Sequence, residues 1–412
     1  MRPGPPVTAE SPAATRPRNR KQLIVDAAGR VFSERGYHAA SMEEIATTVG
    51  ITAAALYRHF PNKYALFAEC ANVMADRLVA AVDEVPPEAA LADLLAAVTR
   101  VTVAHRASGG VYRWEARYLE RGDRRGLKAK FTHVVERVTE VARREHPLPD
   151  EHLRAAAALG AIASVTMHRT SIAPRRAEDL LLASALRVVA TSTAAPVGRA
   201  RSVELPVLPV PRTRRAEILA AAIPLFERDG FANVTNGRIA EAAGLVPSTI
   251  YRHFPGKADI LAAACLQAAG LLAQAVEQNL HGVAGPHDAV VTLAATYVAY
   301  SFEHTALTSV ADAEVAGLPA GLQRPLAVAQ REHIAIWEQQ LRLVRPDLDP
   351  RQARALVHAG FGVVVEAGRR LRWQDSPDHR AAVTALVVGA LGLPASGAGP
   401  VPGGDHDGRA GR

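Results

Sequence analysis

Residues 57–63 read Tyr-Arg-His-Phe-Pro-Asn-Lys, and residues 251–257 read Tyr-Arg-His-Phe-Pro-Gly-Lys. Five consecutive residues recur 194 positions apart, and after one variable loop residue the same lysine follows. Sliding the chain by that offset aligns Pro17–Lys63 with Pro211–Lys257. Further identities fall at Ile24/Ile218, Ala27/Ala221, Phe32/Phe226, Gly36/Gly230, Ile45/Ile239, Ala46/Ala240 and Gly50/Gly244. A match at fixed period over such a length marks a duplicated structural unit. Beyond the lysine the match thins, yet an offset of 199 still places His105 on His304, Glu115 on Glu314 and Pro147 on Pro346. The unit is therefore about 180 residues long, present twice.

Within the first copy, Ile24, Ala27, Ala28, Val31 and Phe32 recur at helical spacing until Gly36 stops the run. Ser41 with Glu44 three residues on is the signature of a helix start, and Gly50 ends that second short helix. Thr52 caps a third helix anchored by Leu56 and Phe60, and Asn62 caps a fourth that begins at Lys63. The second copy matches with Thr235, Gly244 and Pro247, the proline taking the first helical position. A short helix, a glycine turn and a following helix free to project make a helix–turn–helix. The alanine-rich remainder of each unit favours long helices. The expected fold is all-α: two tandem units, each a three-helix, homeodomain-like helix–turn–helix head followed by a helical regulatory and dimerisation domain. The expected boundaries are a tail at 1–16, heads at 17–66 and 211–260, helical domains at 67–194 and 261–394, and a tail at 395–412. Between the units, residues 195–210 open the Pro-rich stretch APVGRARSVELPVLPVPR (195–212) and read as a linker.

Composition limits the function. The formal charge of +7 is a mild bias toward polyanions, and two basic runs sit just ahead of the repeats. Arg2, Arg16, Arg18, Arg20 and Lys21 precede the first, and Arg199, Arg201, Arg212, Arg214 and Arg215 the second. Two cysteines, Cys70 and Cys265, allow neither a disulfide framework nor a paired-cysteine metal site. The start MRPGPPVTAE lacks an apolar leader, and no unbroken run of about 18 apolar residues is found, so a cytoplasmic protein with no membrane partner is expected. Enzyme signatures are missing. There is no HExxH, GxSxG or phosphate loop, and GFGVVV from Gly360 lacks the third glycine of a dinucleotide fingerprint. His105, His168, His304 and His358 show no metal-ligand spacing. The reading is a non-enzyme with no cofactor and no metal.

The stretches SMEEIATTVGITAAALYRHFPNKYAL (41–66) and TNGRIAEAAGLVPSTIYRHFPGKADI (235–260) resemble the DNA-binding domain of the TetR family of bacterial repressors. The resemblance covers about 47 residues of each copy and implies a double-stranded operator DNA as partner. It assigns Tyr57, His59 and Lys63, and likewise Tyr251, His253 and Lys257, to phosphate contacts. A phenol and an imidazole can hydrogen-bond phosphate oxygens, and a lysine at a helix start adds charge where free N–H groups already favour an anion. Base reading then falls to the starts of helices 2 and 3. The first copy has Ser41, Thr52, Ala53 and Ala54, and such alanines can touch a thymine methyl without bidentate hydrogen bonding. The second has Pro247, Ser248 and Thr249, with Asn236 and Arg238 at the start of helix 2, where the first reads Met42-Glu43-Glu44. Arg18, Arg20, Arg212 and Arg214 are candidate arms for a minor groove.

The family works as homodimers through the last two helices of each subunit, so the tandem chain implies either an internal pseudo-dimer or a homodimer. The candidate bundle helices are 150–173, 176–194, 349–372 and 378–393, rich in small residues. The family also implies a small-molecule effector, for which Tyr112, Trp114 and Tyr118 are the candidate pocket. A sequence-specific transcriptional regulator, a repressor with two non-identical heads, is the function expected. The alternative is an all-helical ligand-binding or adaptor protein whose heads no longer read DNA; the first head's alanines favour it and the two intact signatures oppose it.

Overall fold

The structure, a computed structural model, describes residues 20–108, 111, 118–194, 203–207, 210–315 and 318–393. Among these there are helices and no strand. The first unit runs α1 (Arg20–Ala39), α2 (Met42–Val49), α3 (Ala53–Tyr57), α4 (Lys63–Asp83), α5 (Leu91–Ala104), α6 (Arg121–Glu145), α7 (Glu151–Ala163) and α8 (Pro174–Ala190). The second runs α9 (Arg214–Asp229), α10 (Asn236–Ala242), α11 (Pro247–His253), α12 (Lys257–Leu280), α13 (Pro286–Glu303), α14 (Thr305–Glu314), α15 (Ala320–Val344), α16 (Pro350–Arg370) and α17 (Pro377–Leu391).

The heads form where the local signals lie. Ser41 Oγ accepts the N–H of Glu44 at 3.0 Å, Thr52 Oγ1 that of Ala55 at 3.2 Å, and Asn62 Oδ1 that of Ala65 at 2.8 Å. Each satisfies a donor that a helix start leaves open. Only half of the expected capping box forms at Ser41, because Glu44 turns its carboxylate to Arg35 instead. The turns between the two short helices need a left-handed residue, and Gly50 (φ 71°) and Gly244 (φ 66°) supply it. Ile24, Phe32, Ile45, Leu56, Phe60 and Phe67 fill the first head's core. Ile218, Phe226, Ile239, Ile250, Phe254 and Leu261, the same positions 194 residues on, fill the second.

The helical halves do not have separate cores. A single apolar cluster runs from Met74, Leu95 and Val138 through Ala157 and Val188 to Leu293, Trp337, Leu356 and Leu386. It is closed by α7 and α8 packing on α16 and α17. Small residues bring α7 and α16 together: a Cβ on Gly160 would sit 2.4 Å from the Gly362 carbonyl oxygen, and one on Gly362 would sit 2.2 Å from that of Gly160. No side chain fits there. At the other contact, Ser184 Oγ donates to Ala390 O at 2.9 Å and the Arg187 guanidinium to Gly389 O and Ala390 O at 3.2 and 3.1 Å. These groups from the first unit satisfy the open C-terminal carbonyls of α17. Arg176 and Asp349 pair across the same seam at 3.1 Å.

Two expectations change. The helix expected over 150–173 stops at Ala163 with one 3-10 turn to Thr166; the sequence His168-Arg169-Thr170-Ser171-Ile172-Ala173-Pro174 then bends into α8, whose first residue is that proline. Counting unbroken apolar residues also overlooked α12, which by length and composition is apolar enough to cross a membrane. Here its Ile260, Leu261, Cys265 and Leu271 are buried inside the second unit.

Candidate nucleic-acid interface

The repeated heptad builds one surface in each head. Leu56 and Phe60 are inside, as are Ile250 and Phe254, and this rotates the intervening residues outward. Tyr57 is 47% exposed and Tyr251 61%, unusual for large aromatic side chains with an apolar core close at hand. Arg58, His59 and Arg252 are exposed, and His253 is half-buried. Ahead of them on α3, Ala54 is exposed while Ala53 packs on the head core. On α11, Pro247 and Ser248 are exposed and Thr249 is half-buried. No side chain caps α11, because Val246 stands where the first head has Thr52.

Lys63 and Lys257 make their contacts within their own heads. Lys63 Nζ donates to the carbonyls of Ala40 at 3.1 Å and His38 at 3.3 Å and lies 4.8 Å from the Tyr37 ring centre. Burial holds its pKa below the ordinary lysine value. Lys257 Nζ donates to Phe231 O at 2.5 Å, Val234 O at 2.8 Å and Ala232 O at 3.2 Å, and lies 4.4 Å from the Phe231 ring. An ammonium has three donors, and in the second head three carbonyls take them. The lysine pins the first helix's exit to the start of the fourth helix.

Arg238 is likewise occupied, with Nη2 on Asp229 Oδ2 at 2.6 Å and Nη1 on Asn233 O at 3.3 Å. Hydrogen bonds from Arg228 and Arg238 hold the Asp229 carboxyl down to about 2. In the first head the same two positions are Arg35 and Glu44, paired at 3.1 Å. The ion pair that ties helix 1 to helix 2 is thus kept with its charges exchanged. Positions 35/229 and 44/238 show this exchange in the sequence, but only the contact gives it meaning.

Of the remaining candidates, Ser41 and Thr52 use their oxygens as caps. Asn236 begins α10 with its Oδ1 buried and unpartnered among the described residues. Arg20 begins α1 half-buried, Arg212 is exposed ahead of α9, and Arg214 pairs with Glu217 at 2.6 Å. Arg18, Tyr112 and Trp114 lie outside the described residues. Tyr118 packs against the head, stacked on Tyr37 at 5.6 Å and edge-on to His38 at 4.6 Å. It packs against the head's core. A groove of about 660 Å³ lies elsewhere, between residues 204–207 and α12, lined by Gln267, Gly270, Leu271, Gln274 and Gln278.

The model of the family described as "Bacterial regulatory proteins, tetR family" matches at residues 24–70 and again at 218–264. The transcriptional activator FasR of Mycolicibacterium smegmatis is 43% identical over 67 residues, 16% of this chain and 30% of that protein. The nucleoid occlusion factor SlmA of Photorhabdus laumondii is 34% identical over 70 residues, covering 17% and 35%. The transcriptional regulator AcrR of Shigella flexneri is 45% identical over 49 residues, covering 12% and 23%. The matches span about a third or less of these relatives. A TetR-family transcriptional regulator from Bordetella parapertussis, of known structure, is 21% identical over 44% of this chain and 96% of its own, with a TM-score of 0.40. Both matched segments coincide with the two heads, so the chain carries two tetR-type DNA-binding heads in one polypeptide.

Proposed function

We propose that this chain is a DNA-binding transcriptional regulator that presents two unlike heads to one operator and represses by occupying it. The observation that carries the reading is the pair of Tyr-Arg-His surfaces, tyrosine and arginine exposed in both, borne by two helix–turn–helix heads whose helical halves share one core. A single head makes few contacts, and a second head on the same chain raises affinity through effective concentration. Because Ala54 and Ser248 occupy the same exposed position, the two half-sites differ, and one chain reads them in one orientation.

In vitro selection from random duplexes with the full chain tests this. We expect two unlike half-sites with centres about one helical turn apart, and a complex containing one 43.7 kDa chain per duplex by light scattering. A perfect palindrome would sink the unlike-heads reading, and no enrichment at all would sink the DNA reading. A promoter reporter carrying the selected site should rise when the protein is removed. A fall would make the protein an activator, as the similar mycobacterial protein is named.

A further inference from the structure

In each heptad the residue between the tyrosine and the histidine is arginine, and nothing within the head explains it. Arg58 and Arg252 are exposed, and neither guanidinium has a hydrogen-bonding or ionic partner among the described residues. Several other cations of the heads are engaged: Lys63 and Lys257 on carbonyls, Arg35 on Glu44, Arg238 on Asp229, Arg214 on Glu217, and Arg215 on the His253 carbonyl and the Phe254 ring. Helical spacing stacks Arg58 one turn after Ala54 and Arg252 one turn after Ser248. Each free guanidinium therefore shares a stripe with the exposed position at the start of its recognition helix.

We infer that Arg58 and Arg252 supply the cationic phosphate contact of each head, while Lys63 and Lys257 are positioning residues that hold the head in shape. This rests on the DNA-binding reading above. A guanidinium suits a phosphate because its donors form a flat fork that matches two oxygens and it stays charged at any working pH. A phosphate is the better assignment than a base because the two heads keep the arginine while they differ at the base-facing position. A contact common to unlike heads is one that carries no sequence information.

The test uses the full chain and a labelled random-sequence duplex of about 30 base pairs, with affinity measured against salt. Arg58→Met and Arg252→Met should each flatten the log–log salt slope by about 0.9, so that each variant's deficit shrinks roughly 3.5-fold between about 50 and 200 mM salt. Lys257→Met, assayed below its melting temperature, should keep the wild-type slope while its head melts earlier. Unchanged slopes in the arginine variants, or a flattened slope in folded Lys257→Met, overturn the assignment. So does a selection with Arg252→Met that returns a changed base preference at one position, since that identifies a base contact. Failure of the wild type to bind any duplex takes down the DNA reading instead, and the two failures are distinguishable.

Discussion

Arg35–Glu44 in the first head and Asp229–Arg238 in the second show how a residue's identity can mislead when its partner is out of view. An arginine at the start of a second helix looks like a base reader, yet Arg238 closes a bridge back to the end of the preceding helix. The duplication supplies its own control. Arg238→Glu sets a carboxylate against Asp229 and should lower the second head's melting temperature. Adding Asp229→Arg, which copies the first head's arrangement, should restore it. Selected half-site sequences should be unaffected by the double exchange; a shifted base preference would mean that Arg238 does read DNA.

Among elements, the two heads are fastened to their helical domains by different means. In the first, Tyr64 on α4 bonds Asp123 on α6 and accepts the N–H of Glu120 at 2.9 Å, and burial and Asp123 push its phenol up to about 12. Tyr118 stacks beside it on Tyr37. The second unit has Ala258 at the Tyr64 position, and a piece of the linker does the fastening. Glu204 and Asn279 exchange two hydrogen bonds, at 3.0 and 2.8 Å, and Leu205 packs with Ile223 of α9, Leu271, Tyr300 and Leu307. Leu205→Ser with Asn279→Ala should remove about 2 kcal/mol from this contact. Hydrogen exchange should then quicken around Ile218 and Phe254 and stay unchanged around Ile24 and Phe60. Equal protection in both heads would show that the strap holds nothing.

At the scale of the molecule, the seam between the units carries neutral histidines. His168 and His358 stack at 4.1 Å across it, and within the second unit His333 lies beside Phe361 with Nε2 accepting from Trp337 at 3.2 Å. Burial, reinforced by Arg106 and Arg354, lowers His168 to about 4; burial alone lowers His333 to about 4; and His358 is pushed well below 6.5 by burial, His168 and Arg354. Each is a base whose folded pKa lies below its unfolded one. The stability it permits is complete above pH 6.5 and is lost as the pH falls from 6.5 toward 4, because the unfolded chain takes up the protons. One such group costs about 2 kcal/mol at pH 5. Thermal melts at pH 7 and pH 5 should show a large fall that His168→Phe reduces. A melting temperature flat across this window would refute a neutral seam.

What could be read from the chain alone was whatever depends on near neighbours. Helix starts at Ser41, Thr52 and Asn62, glycine turns at Gly50 and Gly244, the buried stripe through Leu56 and Phe60, and the duplication itself all follow from spacings of a few residues or from direct repetition. Tertiary structure decided the rest, because the deciding partner is remote in sequence. Lys63 meets carbonyls 23 and 25 residues earlier, and Arg187 meets one 202 residues later. Whether the two helical domains would pack on each other or on a second chain depended on shape. Gly160 and Gly362 meet at each other's bare backbone, a complementarity that no spacing within either helix records.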